Sequence, residues 1–266
     1  MTGQGSPWAA IVCGVSQRGR RSMGVAMEKG ARLRDVAGRA ARHAAARRAV
    51  SAGASGKRAQ TQALLLEAGR ELFAEQGIGA TSVGDLCSRA GFTRGAFYSN
   101  FADMDHFVRQ LAEREWEQMT DFVRQAVDEA LPDSAERSPA SSDDEVQHAL
   151  EILADRLLLA MPVSREFYML QNEFVSYILR NQEHAQGLRR SYEAFKASLR
   201  EVVVTGLGAI GRECMLSADD MTELLFAAAE RSMRTALMVG REDQLTALLD
   251  RSLPVMLTHM SRPRES

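Results

Sequence analysis

The sequence predicts an all-α protein, with a small N-terminal helix-turn-helix unit followed by a larger helical region. Three observations carry that reading. Apolar residues recur at i, i+3, i+4 and i+7 from Gln60 onward, the spacing that gathers them on one face of a helix. Strict apolar/polar alternation, the mark of a half-buried strand, is missing, and so is any internal repeat. The periodic runs are separated by helix punctuation: Gly77, Gly91, Leu131-Pro132 and Gly240.

Gln60 to Gln76 is the first helix, with Leu65, Ala68, Gly69, Leu72 and Phe73 on one face. Gly77 closes it and Ile78 packs back. Thr81 to Phe101, TSVGDLCSRAGFTRGAFYSNF, reads as two short helices joined by a tight turn. Ser82 followed three residues later by Asp85 is a capping box. Val83, Leu86, Cys87 and Ala90 then share a face, and Gly91 stands where a helix ends in the left-handed conformation. Phe92 is the wedge of the turn, and Thr93 caps the next helix, Arg94 to Ser99. Its centre is small, Gly95 and Ala96, and its edges are polar, Arg94, Tyr98, Ser99 and Asn100. Such a helix can approach a polyanion closely, which is the geometry of a helix-turn-helix that reads DNA. Phe97 and Phe101 face inward. Asp103 caps a long fourth helix that runs to Ala130. A polar loop at 132–142 leads into helices near 143–160, 165–181, 184–210, 218–239 and 243–260, where Ser217 and Asp220 repeat the capping pattern.

The chain of 266 residues has a 45% hydrophobic fraction, ample for a core, yet no apolar run approaches the roughly 20 residues that span a bilayer. The opening segment lacks the order of a secretory signal, because its arginines follow the apolar piece. Cys13, Cys87 and Cys214 are scattered and odd in number, which argues against a disulfide framework or a zinc site and for a reducing cytoplasm. The net charge of −2 conceals an asymmetry: residues 1–58 hold 12 Lys or Arg and only Glu28 and Asp35 as acids. A basic arm on an acidic body points to a polyanionic partner. Residues 1–56 are too poor in large apolar groups to fold alone. They read either as an arm that tracks DNA phosphates or as an extension upstream of a later start at Met27.

Leu64 to Phe107 resembles the N-terminal domain of the TetR family of bacterial transcriptional regulators. The pieces that carry the likeness are LFAEQG at 72–77, TSVGDLCSRAG at 81–91 and FTRGAFYSNF at 92–101, about one-sixth of the chain. The resemblance implies a division into 1–56, 57–107 as the DNA-binding domain, and 108–266 as a helical ligand-binding and dimerisation domain. It implies a homodimeric regulator, a repressor released from a palindromic double-stranded operator by a small-molecule inducer, with no cofactor. Arg94 is expected to meet a guanine edge or a phosphate, and the Tyr98 hydroxyl a phosphate. Thr93, Gly95, Ala96, Ser99 and Asn100 complete the reading helix, while Ser82 and Thr81 offer a helix N-terminus to a phosphate. One departure is Met104, which stands where many members carry a lysine. Residues 57–110 hold six basic and six acidic groups, so affinity there depends on local placement.

Aromatic and methionine residues on the C-terminal helices either form core or line an adaptable cavity. The resemblance implies an inducer pocket among the middle helices, and Phe122, Met169, Phe174, Tyr177, Phe195 and Met233 are its candidates. The last two helices carry Leu224, Leu225, Ala228, Leu245, Leu248 and Leu249. Their apolar faces fit either a four-helix interface between subunits or packing within one chain. An enzyme reading has little to stand on: the sequence has no Gly-rich phosphate loop, GxSxG, HExxH or paired cysteines, and its histidines are isolated from one another. Two rivals remain, a helical scaffold without operator specificity and a DNA coater that acts through residues 18–58 with steep salt dependence and no sequence preference.

Overall fold

The computed structural model describes residues 56–130, 143–160 and 163–264. Nearly all of the basic arm, the 132–142 loop and the break at Pro162 lie outside the described residues. The head comprises α1 (Gly56–Gln76), a single 3-10 turn at Ile78–Ala80, α2 (Val83–Ala90) and α3 (Arg94–Tyr98). Next come α4 (Met104–Ala130), α5 (Asp143–Ala160), α6 (Arg165–Arg180) and α7 (Gln186–Ala209), then α8 (Ala218–Met238) and α9 (Ala247–His259).

Local chemistry sets the ends of these helices. Gly77 closes α1 at φ 87, with its N–H on Phe73 O at 3.0 Å. Ser82 and Asp85 form the full capping box of α2, and Gly91, at φ 73, ends it in the left-handed region. Thr93 Oγ1 accepts from Ala96 N to cap α3, and Asp103 Oδ1 accepts from His106 N at 2.7 Å to open α4.

Two apolar clusters build the interior. The first contains Leu65, Phe73, Leu86, Phe97, Phe101, Phe107 and Leu111 of the head and continues into α6 and α7 through Trp116, Phe174 and Phe195. Phe97, Phe101 and Phe107 are no more than 1% exposed, and their ring centroids lie 4.8–5.4 Å apart. Burying one such ring stabilises a fold by about 1.5–3 kcal/mol. The second cluster joins α4, α5, α7, α8 and α9 through Val127, Leu150, Val202, Met221, Leu249 and Leu253. Because α4 runs unbroken through residue 107, the head and the body share one rigid rod.

Two features differ from the sequence expectation. A two-stranded antiparallel ribbon, β1 (Arg212–Cys214) with β2 (Ser261–Pro263), ties the end of α7 to the chain terminus. Three residues are too few for alternation to register, and the pairing partner lies some fifty positions away. The last helix starts at Ala247 instead of 243, because Glu242–Gln244 form a 3-10 turn. Its cap comes from another helix: buried Ser232 of α8 accepts from Leu248 N and Leu249 N and donates to Leu245 O. A cap supplied from another helix leaves no trace in local spacing.

Candidate functional site

The reading surface is built on α2 and α3. Thr93, Arg94, Gly95, Tyr98 and Ser99 are exposed, with Ala96 half-buried between them. Tyr98 is 58% exposed, a large fraction for an aromatic ring, and its inner edge makes a T-shaped contact with Phe97. The fold thus anchors the tyrosine from behind and leaves its hydroxyl outward.

Arg94 lies over Gly84 of α2; a Cβ added at Gly84 would stand 3.1 Å from Arg94 Nη2. Beside it, the Asp85 carboxyl is held below the usual carboxylate range, chiefly by the Ser82 hydroxyl and backbone N–H and in smaller part by the Arg94 charge. The other arginines of this region are differently engaged. Arg70 pairs with the buried Glu115 at 3.3 Å. Arg89 is forked between Glu71 and Glu75 at 3.0 and 2.8 Å, and those carboxylates raise its pKa further, Glu75 most. Arg109 packs over Gly187 of α7. Arg94 is the exposed arginine of α3, and the exposed Arg58 stands at the start of α1. Gly84, which gives Arg94 room, had no signature in the sequence, since its role exists only once α2 and α3 cross.

Two expected contacts turn inward. Thr81 is buried, donates to Gly77 O at 2.8 Å and accepts from Gln76 Nε2; it secures the turn after α1. Asn100 folds back on α3, with Nδ2 donating to Ala96 O at 2.7 Å. Ser99 stays exposed while its hydroxyl closes on Gly95 O at 2.8 Å. The last carbonyls of a helix lack intrahelical partners; the Asn100 amide satisfies Ala96 O, while the Ser99 hydroxyl adds to the bond that Ser99 N already makes to Gly95 O at 3.0 Å. Ser82 remains exposed at the N-terminus of α2, its hydroxyl engaged in the capping box. The Cys87 thiol points into the core, donates to Thr93 O at 3.4 Å, and is pushed up in pKa by burial.

The C-terminal region holds a partly open cavity of about 330 Å³ between α4, α5, α6, α7, α8 and α9. Phe195 and Met233 are in its wall as expected. The other four candidates are not. Phe174 is fully buried against Trp116. Tyr177 faces the head, where its hydroxyl bonds Asp105; burial, with that bond, raises its pKa. Met169 is half-buried against the first core cluster, and Phe122 is half-buried away from the wall. The α6 residues that do line the cavity are Phe167, Tyr168, Gln171, Asn172 and Val175, the last four an i, i+3, i+4, i+7 stripe. Choosing Met169 misjudges the face by one residue, because two polar members disguise the stripe.

The expected interface residues divide. Leu224 and Leu248 are exposed at 46% and 38%, while Leu245 and Leu249 are buried within the protomer. Leu225 lines the cavity and Ala228 packs on the second cluster. The last four therefore serve intramolecular packing: α8 is apolar on more than one side because it meets both α7 and α9. Met238, Val239 and Val255 are exposed nearby. Among the described residues no group of three or more His, Cys, Asp or Glu could hold a metal, and no helix is long and apolar enough to cross a membrane.

Residues 65–111 match the bacterial regulatory proteins of the tetR family. The head of the chain carries the N-terminal domain of that family. An uncharacterized HTH-type transcriptional regulator, YfiR of Bacillus subtilis (strain 168), is 27% identical over 146 residues, 55% of this chain and 65% of that protein. Among solved structures, a putative TetR-family transcriptional regulator from Mesorhizobium loti MAFF303099 superposes with a TM-score of 0.57 at 16% identity, covering 77% of this chain and 98% of that one. The transcriptional regulator FadR from Bacillus subtilis, solved in complex with stearoyl-CoA, gives 0.53 at 17% identity, covering 73% and 96%. At such identities the likeness is one of fold. The family-level sequence similarity lies in the head, and the likeness of fold extends over about three quarters of the chain.

Proposed function

We propose that this TetR-family regulator is an operator-binding repressor that acts as a homodimer and is released by a small-molecule ligand. The observation that carries the DNA-reading part is the outward presentation of Arg94 and Tyr98 on a helix whose inner face is locked by Phe97. Two such helices related by a two-fold axis fit a palindromic site with half-sites about 34 Å apart. The exposed apolar residues Leu224, Leu248, Met238, Val239 and Val255 on and beside α8 and α9 supply a surface for the second copy.

The coupling between ligand and DNA is carried by α6. One of its faces lines the cavity. The other holds the head, since Glu173 Oε2 accepts from Ile78 N at 2.9 Å and Tyr177 bonds Asp105 at the start of α4. Gly77 permits this approach: any Cβ there would stand 3.0 Å from the Glu173 carboxylate. A ligand that displaces α6 shifts the end of α1, and with it the angle of the reading helix. Release requires that the ligand bind the two forms with different affinity.

The test is fluorescence anisotropy with DNA flanking the protein's own gene, against scrambled competitor, for the wild type and for Arg94→Ala/Tyr98→Ala. Tight binding that withstands competitor and vanishes in the double variant supports the reading. Binding indifferent to sequence and to both substitutions transfers the activity to the basic arm and refutes it.

A further inference from the structure

The cavity is apolar, but its few polar groups are specific, and their state constrains the ligand. Most are already engaged. Asn172 Nδ2 donates to Tyr168 O at 2.8 Å, Thr222 Oγ1 to Ala218 O at 2.7 Å, and Tyr168 Oη accepts from Arg234 Nε at 3.1 Å. The two acids of the wall, Glu223 and Glu230, are paired with Lys196 and Arg234. Among the described residues the wall contains no lysine, arginine or histidine.

Gln171 is different. Its Oε1 accepts from Trp116 Nε1 at 2.8 Å, while its Nε2 is buried with no partner. The amide orientation is fixed by chemistry: an indole N–H only donates, so the atom facing it must be the oxygen. The N–H pair of Gln171 is thereby left as an unsatisfied donor, an unfavourable state for a buried polar group. The atom is closed to a water-sized probe, but the residue is half-buried on the cavity wall, so a ligand oxygen that opens the wall beside it relieves the donor.

We infer that the effector is an uncharged lipophile carrying a hydrogen-bond-accepting oxygen, such as an ester or ketone, which accepts from Gln171 Nε2 while its apolar body fills the cavity. This rests on the proposal that the cavity is the effector site. An anionic headgroup finds no free cation among the described residues of the wall. A cation gains little, because both carboxylates already have partners. The volume is about eleven times that of a liquid water molecule, taken as roughly 30 Å³, which suits a body of about a dozen non-hydrogen atoms.

The experiment uses the full chain with Trp8→Phe, which leaves Trp116 as its single tryptophan. Trp116 stacks on Phe195 at 5.7 Å and bonds Gln171, so its emission reports on the site. Three probes of matched chain are titrated below their micelle concentrations: methyl decanoate, decanoate and decyltrimethylammonium. Methyl decanoate is expected to bind at least tenfold tighter than either ion. Gln171→Glu keeps the acceptor for Trp116 and removes the donor, so it should weaken the ester more than tenfold with the circular dichroism spectrum unchanged. Gln171→Met, which has no amide, should weaken the ester similarly and leave undecane binding within twofold. Preference for either ion, failure of all three probes to bind, or ester binding indifferent to both substitutions overturns the inference. Operator anisotropy on the same samples separates the two claims. Gln171-dependent ester binding that leaves DNA bound supports the ligand chemistry and refutes release. Release by decanoate in place of the ester supports release and refutes the ligand chemistry.

Discussion

The head and the body are built to different packing standards. In the head, Phe73, Phe97, Phe101 and Phe107 interlock at 1% exposure or less, and each short helix is capped by its own Ser or Thr. The body has capped helices too, yet it surrounds a 330 Å³ cavity and leaves the Gln171 donor unpartnered. Dense packing fixes a reading surface in one geometry, because an interior at crystal-like density has few alternative arrangements. A body with a cavity leaves room for a second arrangement, which the proposed ligand control requires. The lesson is that rigidity and adaptability are separated in space and joined through α4 and α6.

The sharpest way to break this contrast is to truncate one ring on each side. Phe97→Ala should cost about 3–5 kcal/mol, the range for a fully buried phenylalanine, and abolish operator binding, as read by chemical denaturation and anisotropy. Phe226→Ala at the cavity wall should cost about half as much, since the ring already borders empty space. Equal costs would remove the distinction. Next in size is the reading surface itself. Arg94→Ala should lose about 1–3 kcal/mol of operator binding with an unchanged melting temperature, because the side chain is exposed.

The junction should respond by a similar amount in a different observable. Glu173→Ala leaves the Ile78 N–H without its carboxylate, a loss of about 1–3 kcal/mol, and should uncouple ligand from DNA more than it weakens either alone. Competition titrations with and without operator measure this. Filling the cavity with Ala229→Leu should raise stability by about 1 kcal/mol and exclude the ligand, as seen by calorimetry and Trp116 emission.

The smallest effect is at the head's surface. The hydrogen bonds from Ser82 depress the Asp85 pKa. Their contribution is therefore present above the unfolded carboxylate value and lost as pH falls through the lower folded one. Ser82→Ala should lower the melting temperature by about 2 °C at neutral pH and flatten its decline in acid, as measured by thermal melts across pH 2–6.

Residue order alone was enough for the helical class, the helix-turn-helix and the placement of Arg94 and Tyr98 on its short second helix. Those depend on contacts within a few residues of one another: capping boxes, glycine stops and apolar faces at helical spacing. Only the tertiary structure decided that Thr81 and Asn100 face inward, that Leu245 and Leu249 pack within the protomer, and that the cavity is lined by Tyr168 and Gln171 in place of Met169 and Tyr177. It also placed Gly84 under Arg94, Glu173 on Ile78 and Ser232 at the start of α9. Each of these depends on which helix crosses which, over separations of up to 95 residues. Spacing along a chain gives a helix its face, but the direction of that face is set by the neighbour it meets.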